Sequence, residues 1–228
     1  LKIIPLSHPL DGNCPLYPGT PKPRFEQHKS IEAGDSSNNS NIFINAHTGT
    51  HIDLPLHFCK DGAPLSEFIG AEQIFYPAYC IDIPKKGDEP LLPVDFAGRT
   101  RDLSGAEALL VRTGSGAKRG RCDEYEQRHP WVDPSLPGFL RESLPRLKLF
   151  GIDAISIASP HNRKEGREAH REFLCGEGAI ILLEDADLSG LPVNIGPFRL
   201  RIYPYFYDIL DASPVIALAE TDLIKEKK

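Results

Sequence analysis

The stretch Asn41-Ile-Phe-Ile-Asn-Ala46-His47-Thr-Gly-Thr-His51-Ile-Asp53-Leu-Pro55-Leu-His57-Phe58 decides how this chain is read. Its opening residues put Ile42, Ile44 and Ala46 on one face of an extended segment, so a strand is expected to run straight into His47. His47 and His51 are four apart, a helical ligand spacing, but Thr48, Gly49, Thr50, Ile52 and Pro55 all disfavour helix. In an extended chain His47, His51, Asp53 and His57 instead share one side, because side chains alternate with a period of two. A straight strand would hold His47 and His57 roughly 33 Å apart at about 3.3 Å per residue, so the chain must fold back. Gly49 and Pro55 are the residues that permit it. The opposite parity carries Ile52, Leu54, Leu56 and Phe58, whose burial draws the segment into the core and desolvates its polar residues. A bound cation would compensate that cost. Three of the eight histidines and a carboxylate within this window supply the nitrogen and oxygen donors that suit zinc, manganese or iron.

Working outward, short apolar runs at Tyr79–Ile83, Leu109–Thr113, Ile152–Ile157, Ala179–Glu184 and Pro214–Leu218 read as buried strands. Two helices are expected: one after Asp133-Pro134, with Phe139, Leu140, Leu144 and Leu147 at helical spacing, and one over about Glu165 to Leu174. Strands outnumber helices, and no linker divides the chain. The expectation is a single domain over residues 1–228, of α/β or α+β class with a large mixed sheet.

The formal net charge of −6 and the scattered basic residues leave no footprint for nucleic acid. No apolar run approaches the roughly 20 residues that span a bilayer, and the N-terminus is too short for a secretory leader, so the chain reads as soluble with no membrane partner. Five cysteines without a C-x-x-C pair argue against a disulfide framework and a zinc ribbon, which points to a reducing cytoplasm. Gly114-Ser-Gly116 lacks Walker spacing and reads as a turn.

The segment His47-Thr-Gly-Thr-His51-Ile-Asp53-Leu-Pro55-Leu-His57 resembles the H-x-G-T-H-x-D-x-P-x-H signature of the cyclase family of metal-dependent hydrolases, which includes bacterial kynurenine formamidases and isatin hydrolases. Looser similarity runs through Leu6-Ser7-His8-Pro9, Tyr17-Pro18-Gly19, Val111-Arg112-Thr113-Gly114, Gly151-Ile152-Asp153 and Asp187-Leu188-Ser189-Gly190-Leu191-Pro192. The resemblance implies a swivelling β/β/α fold, a small-molecule substrate, a homodimer or higher homo-oligomer, and one or two ions per chain, Zn²⁺ or alternatively Mn²⁺. It implies His47, His51 and Asp53 as metal ligands, His57 as the acid/base, and His170 and Glu184 as the remaining ligands.

Ser159 to Ala169 reads as an insertion, so His161 competes with His170; Phe173 and Leu174 share the helix face of His170 and favour it. Glu184 ends an apolar strand, where a carboxylate needs a cation, and Asp185 is its nearest rival. No cysteine is expected as ligand or nucleophile, Cys59 included. The implied reaction is opening of an amide by water that a metal activates, arylformamidase-like. A cyclic imide, lactam or lactone hydrolase is the alternative within enzymes, and a non-catalytic metal-binding protein is the alternative outside them.

Overall fold

The computed structural model describes residues 1–68, 73–206 and 208–221. Strands β1 (Lys2–Pro5), β2 (Arg24–Lys29), β3 (Asn39–Phe43) and β4 (His51–Asp53) come first, followed by α1 (Leu65–Phe68), β5 (Ile74–Asp82), β6 (Pro90–Leu91) and β7 (Ala108–Arg112). Next are α2 (Cys122–Gln127), β8 (Trp131–Val132), α3 (Ser135–Ser143), β9 (Leu149–Ile152), α4 (Arg163–Leu174), β10 (Ile181–Glu184), β11 (Ile195–Pro204) and β12 (Ala212–Thr221). Eight strands form one mixed sheet in the order β1-β12-β11-β5-β7-β9-β10-β4. β5, β7, β9 and β10 run parallel, while the remaining pairings are antiparallel. β4 pairs with β10 on one side and with the first residues of β12 on the other, so the sheet curls into a barrel-like arrangement. The fold is thus a single-domain α/β architecture with a large mixed sheet.

Strand alternation splits the core in two. On β7, Ala108 and Leu110 join one cluster with Ile52, Leu54, Leu183, Leu200 and Ala217, while Leu109 and Val111 face a second cluster. That second cluster lies where α3 and α4 cover the sheet, through Leu136, Leu140, Ala169, Phe173 and Leu174. Parallel strands buried on both faces require apolar residues at both parities, which is why these runs are continuous rather than alternating. At Gly151 a Cβ would come within 2.4 Å of the Leu110 side chain, so glycine here lets Leu110 of the neighbouring strand pack directly over the backbone.

Most expected elements are present, and three readings are corrected. Asn41–Phe43 is extended, but it belongs to β3, which pairs with β2 in a separate exposed ribbon; a turn at Ala46 to Thr50 separates it from His51. Ile42 is therefore exposed, since alternation signals an extended chain without specifying what covers it. The run Ile152–Ile157 is a strand only at its first residue, the end of β9; the rest is buried but irregular. There the backbone of Ala154 and Ile157 bonds to Asp185 and Val132 and to the Glu184 carboxylate instead of to a strand ladder. The third is a disulfide between Cys59 and Cys175, where the spacing of the cysteines argues against a disulfide framework.

Candidate metal centre and active site

The backbone of residues 47–58 changes conformation twice, and each change aims a side chain. Gly49 adopts φ +68° in the turn before β4, a conformation that glycine reaches without strain. β4 is three residues long, with Ile52 inward to the barrel core and His51 and Asp53 on the side covered by α4. Pro55 then starts a 3-10 turn, Pro55–His57, which suits proline's fixed φ and missing N–H. Strict alternation ends there, so His57 points back over the end of β4.

Register brings in the rest. Across the β4–β10 pair His51 stands opposite Glu184, and Asp53 opposite Leu182, so His51, Asp53 and Glu184 share one face. From above, α4 delivers His170. Among the described residues, three groups of ligand atoms lie close enough together to hold a metal ion: His47, His51 and Asp53; Asp53, His170 and Glu184; and His47, His57 and Asp211. His51 Nε2 is 3.3 Å from Asp53 Oδ1 and 3.5 Å from Glu184 Oε2, while His170 Nε2 is 3.6 Å from Asp53 Oδ2 and 3.4 Å from Glu184 Oε1.

Several observations fit this group to a cation. His51 Nδ1 donates to the Gly49 carbonyl at 2.8 Å and His170 Nδ1 to the Gly166 carbonyl at 2.7 Å, which fixes both rings with Nε2 towards the centre. His51 Nε2 is buried with no hydrogen-bond partner. Asp53 and Glu184 are both buried, and such carboxylates need compensating positive charge. In the protein alone the imidazoles carry it. Burial opposes protonation of His170, but Asp53 and Glu184 overcome it and push its pKa up to about 10. At His47 burial is likewise overcome, by Asp53 and Asp211, and the pKa again reaches about 10. Burial pushes the Asp53 carboxyl upward, yet His47, His170 and His51 together hold it well below the usual carboxylate range.

Beside this buried cluster lies a more open group. His57 Nδ1 meets Asp211 Oδ2 at 2.8 Å, and the same oxygen takes His47 Nε2 at 3.0 Å; His47 Nδ1 meets Asp53 Oδ1 at 2.8 Å. Because a carboxylate accepts, His57 carries its proton on Nδ1 and leaves Nε2 available. Hydrogen bonds from His47 and His57 hold the Asp211 carboxyl far below its ordinary range. Asp211 has no counterpart in the sequence reading. It lies 154 positions from His57 in no recognisable motif, and only the β12–β4 pairing, continued by the Leu54 N–H bond to the Asp211 carbonyl, brings it here.

The competing residues fall elsewhere. His161 is exposed in the turn before α4 and outside the clusters that could hold a metal. Asp185 is buried but engaged by Arg119, with contacts of 2.8–3.2 Å, and by the Tyr125 hydroxyl at 2.5 Å. The glycine turn at Gly114 and Gly116 does present backbone amides, but they donate to the buried Asp153 carboxylate together with Thr113. An internal anion thus fills the position that a phosphate would take.

The expectation of unpaired cysteines is overturned at one place. Cys59, two residues beyond His57, forms a disulfide with Cys175, the residue that follows α4. The two are 116 positions apart, a separation at which spacing carries no information about pairing. The bridge ties the turn bearing His57 to the helix bearing His170.

All these donors open onto one cleft of about 450 Å³, lined on its outer wall by Tyr17, Pro18, Gly19 and Asn45 and along α4 by Arg163 and Arg167. The family model of the cyclases matches residues 4–159. The chain belongs to the cyclase family. Among curated relatives, this cyclase is 32% identical to the kynurenine formamidase of Geobacillus thermodenitrificans over 221 residues, covering 94% of the chain and 95% of the relative. It is 30% identical to the kynurenine formamidase of Bacillus cereus over 220 residues, with the same coverage. In fold it resembles isatin hydrolase A from Labrenzia aggregata, TM-score 0.78 at 24% identity, covering 96% of this chain and 93% of the other. A potential metal-dependent hydrolase with cyclase activity superposes with TM-score 0.74 at 23% identity over 96% of each chain. The cyclase is therefore a metal-dependent hydrolase, and among its described residues no helix is long and apolar enough to cross a membrane.

Proposed function

We propose that this cyclase hydrolyses the C–N bond of an aryl formamide, with His47, His51, Asp53, His170 and Glu184 holding one or two divalent ions and His57 moving the proton. The observation that carries the reading is the juxtaposition, in one cleft, of a buried nitrogen-and-oxygen cluster with the more open His57, whose ring is held by Asp211. The full-length similarity to kynurenine formamidases supports the substrate class. The donor set suits Zn²⁺ or Mn²⁺, and a bound ion supplies Lewis acidity to a carbonyl oxygen and lowers the pKa of water.

The protein's own part follows from the hydrogen bonds. Asp211 orients the His57 ring and stabilises it once protonated. His57 Nε2 takes a proton from water as the water oxygen bonds to the formyl carbon. It then returns that proton to the departing nitrogen as the C–N bond breaks, leaving an arylamine and formic acid, which ionises to formate by losing its proton to water. Glu184 is held by Ser156 Oγ at 3.0 Å and the Ile157 N–H at 2.7 Å, which keeps its carboxylate from swinging out of the cluster. The test is hydrolysis of N-formylkynurenine by metal-depleted protein before and after addition of Zn²⁺ or Mn²⁺. Activity should vanish on depletion and return; full activity after demonstrated removal of all metal would refute the reading.

We also propose that the chain acts as a homo-oligomer. The β2–β3 ribbon is exposed along both strands and carries Phe25, Ile42 and Phe43 outward. A two-stranded ribbon is marginal alone in water, and a second copy is the partner that would cover it. Phe25→Ser combined with Ile42→Ser should lower the mass measured by light scattering; an unchanged mass would count against this interface.

A further inference from the structure

We propose that Arg163 and Arg167 form a carboxylate subsite, making the substrate an anionic amide whose negative group lies along α4 from the scissile bond; the position of that bond rests on the function proposed above. Arg163, Arg167 and His170 are spaced four and three apart on α4 and so share one face of the helix. All three line the same cleft. Along the helix axis the two arginines stand about 4.5 and 10.5 Å from His170 at about 1.5 Å per residue, the length scale of one aromatic ring with a substituent.

The two arginines differ from those that the fold ties down in close ion pairs. Arg112, Arg119, Arg146 and Arg201 each meet a carboxylate, of Asp82, Asp185, Glu107 and Glu220 respectively. Among the described residues neither Arg163 nor Arg167 has an acidic partner within ion-pair distance. Arg163 makes one hydrogen bond, from Nε to the Pro160 carbonyl at 3.2 Å, and its terminal nitrogens remain free. Opposite them stands the half-buried Tyr17, whose phenol lies close enough to feel both cations, although burial outweighs them and pushes it up. A pair of guanidinium forks without acidic partners lies on one wall of the cleft, displaced along α4 from the cluster of His51, Asp53, His170 and Glu184. The fork geometry suits a planar carboxylate in a bidentate grip. A carboxylate gripped there lies along α4 from the cluster of His51, Asp53, His170 and Glu184, which leaves the amide end towards His57.

The test is calorimetric binding of 2-aminobenzoate and 4-aminobenzoate, against the corresponding neutral aminobenzamides, to metal-loaded protein and to an Arg163→Gln/Arg167→Gln variant. Both arginines are exposed, so the variant should keep its fold and metal content, checked by circular dichroism and metal analysis. At least one carboxylate should bind the parent tenfold or more tighter than its amide, and the difference should collapse in the variant. Equal binding of acid and amide by the parent overturns the proposal, as does a preference that survives in the variant, which would place the carboxylate on the metal. Because binding is read without turnover, a charge preference that depends on the arginines supports the subsite even if no formamide is hydrolysed, a result that would sink the arylformamidase reading alone.

Discussion

The buried cluster of His51, Asp53, His170 and Glu184 and the more open trio of His47, His57 and Asp211 use the same residue types in opposite ways. In the cluster, the side chains of His51 and Asp53 are 3% and 1% exposed, and the rings are anchored through backbone carbonyls. In the trio, the side chains of His57 and Asp211 are 27% and 39% exposed, and orientation comes from carboxylates alone. Fixed, dry donors select and retain a cation, whereas a proton carrier must reach water and release what it takes up. In the proposed roles burial and anchoring separate His51 and His170 from His57, while His47, bonded to both Asp53 and Asp211, stands between the two groups.

The largest expected effect breaks the cluster. Asp53→Ala should abolish metal binding and with it turnover, because Asp53 contacts His47, His51 and His170 at once. Metal analysis of the folded variant checks this, and stoichiometric metal would remove Asp53 from the ligand set. His57→Ala should leave metal content near that of the parent while kcat falls roughly 10²–10⁴-fold. If the metal is lost instead, His57 is a ligand and the contrast between the two regions fails. Asp211→Asn should act through His57, with a smaller loss, about tenfold to a hundredfold in kcat, and an altered pH profile. An unchanged profile would leave Asp211 only a structural part.

Metal affinity should rise with pH. In the metal-free protein the carboxylates raise His47 and His170 to about 10, so both are protonated at neutral pH and must lose those protons to bind a cation. Competition by protons is therefore strongest at low pH and fades as pH climbs towards 10. Calorimetry at pH 7 in buffers of differing ionisation enthalpy should show proton release; its absence would mean that these rings do not bind the ion. The smallest expected effect on chemistry is that of Cys59→Ser, which should keep metal and most activity while lowering thermal stability, because the bridge closes a long loop. Thiol titration of the denatured parent should gain two thiols on reduction. If none is gained, the bridge is absent.

The local sequence already contained the absence of an α-helix across residues 47–57, the need for a reversal at Gly49 and Pro55, the face of α4 that bears His170, and most of the apolar strands around them. These are properties of neighbouring residues: proline geometry, glycine freedom and side-chain periodicity act over a few positions. What the tertiary structure decided lies between distant segments. Asp211 joined His57 through the β12–β4 pairing, Cys59 found Cys175 across 116 positions, and β3 left the main sheet for a ribbon with β2. His161 and His170 are nine positions apart, yet only the helix face turned to the sheet puts one of them over Asp53 and Glu184. Periodicity gives the direction of a side chain relative to its own backbone; which other backbone it meets depends on register and closure of the whole sheet, and no local pattern records that.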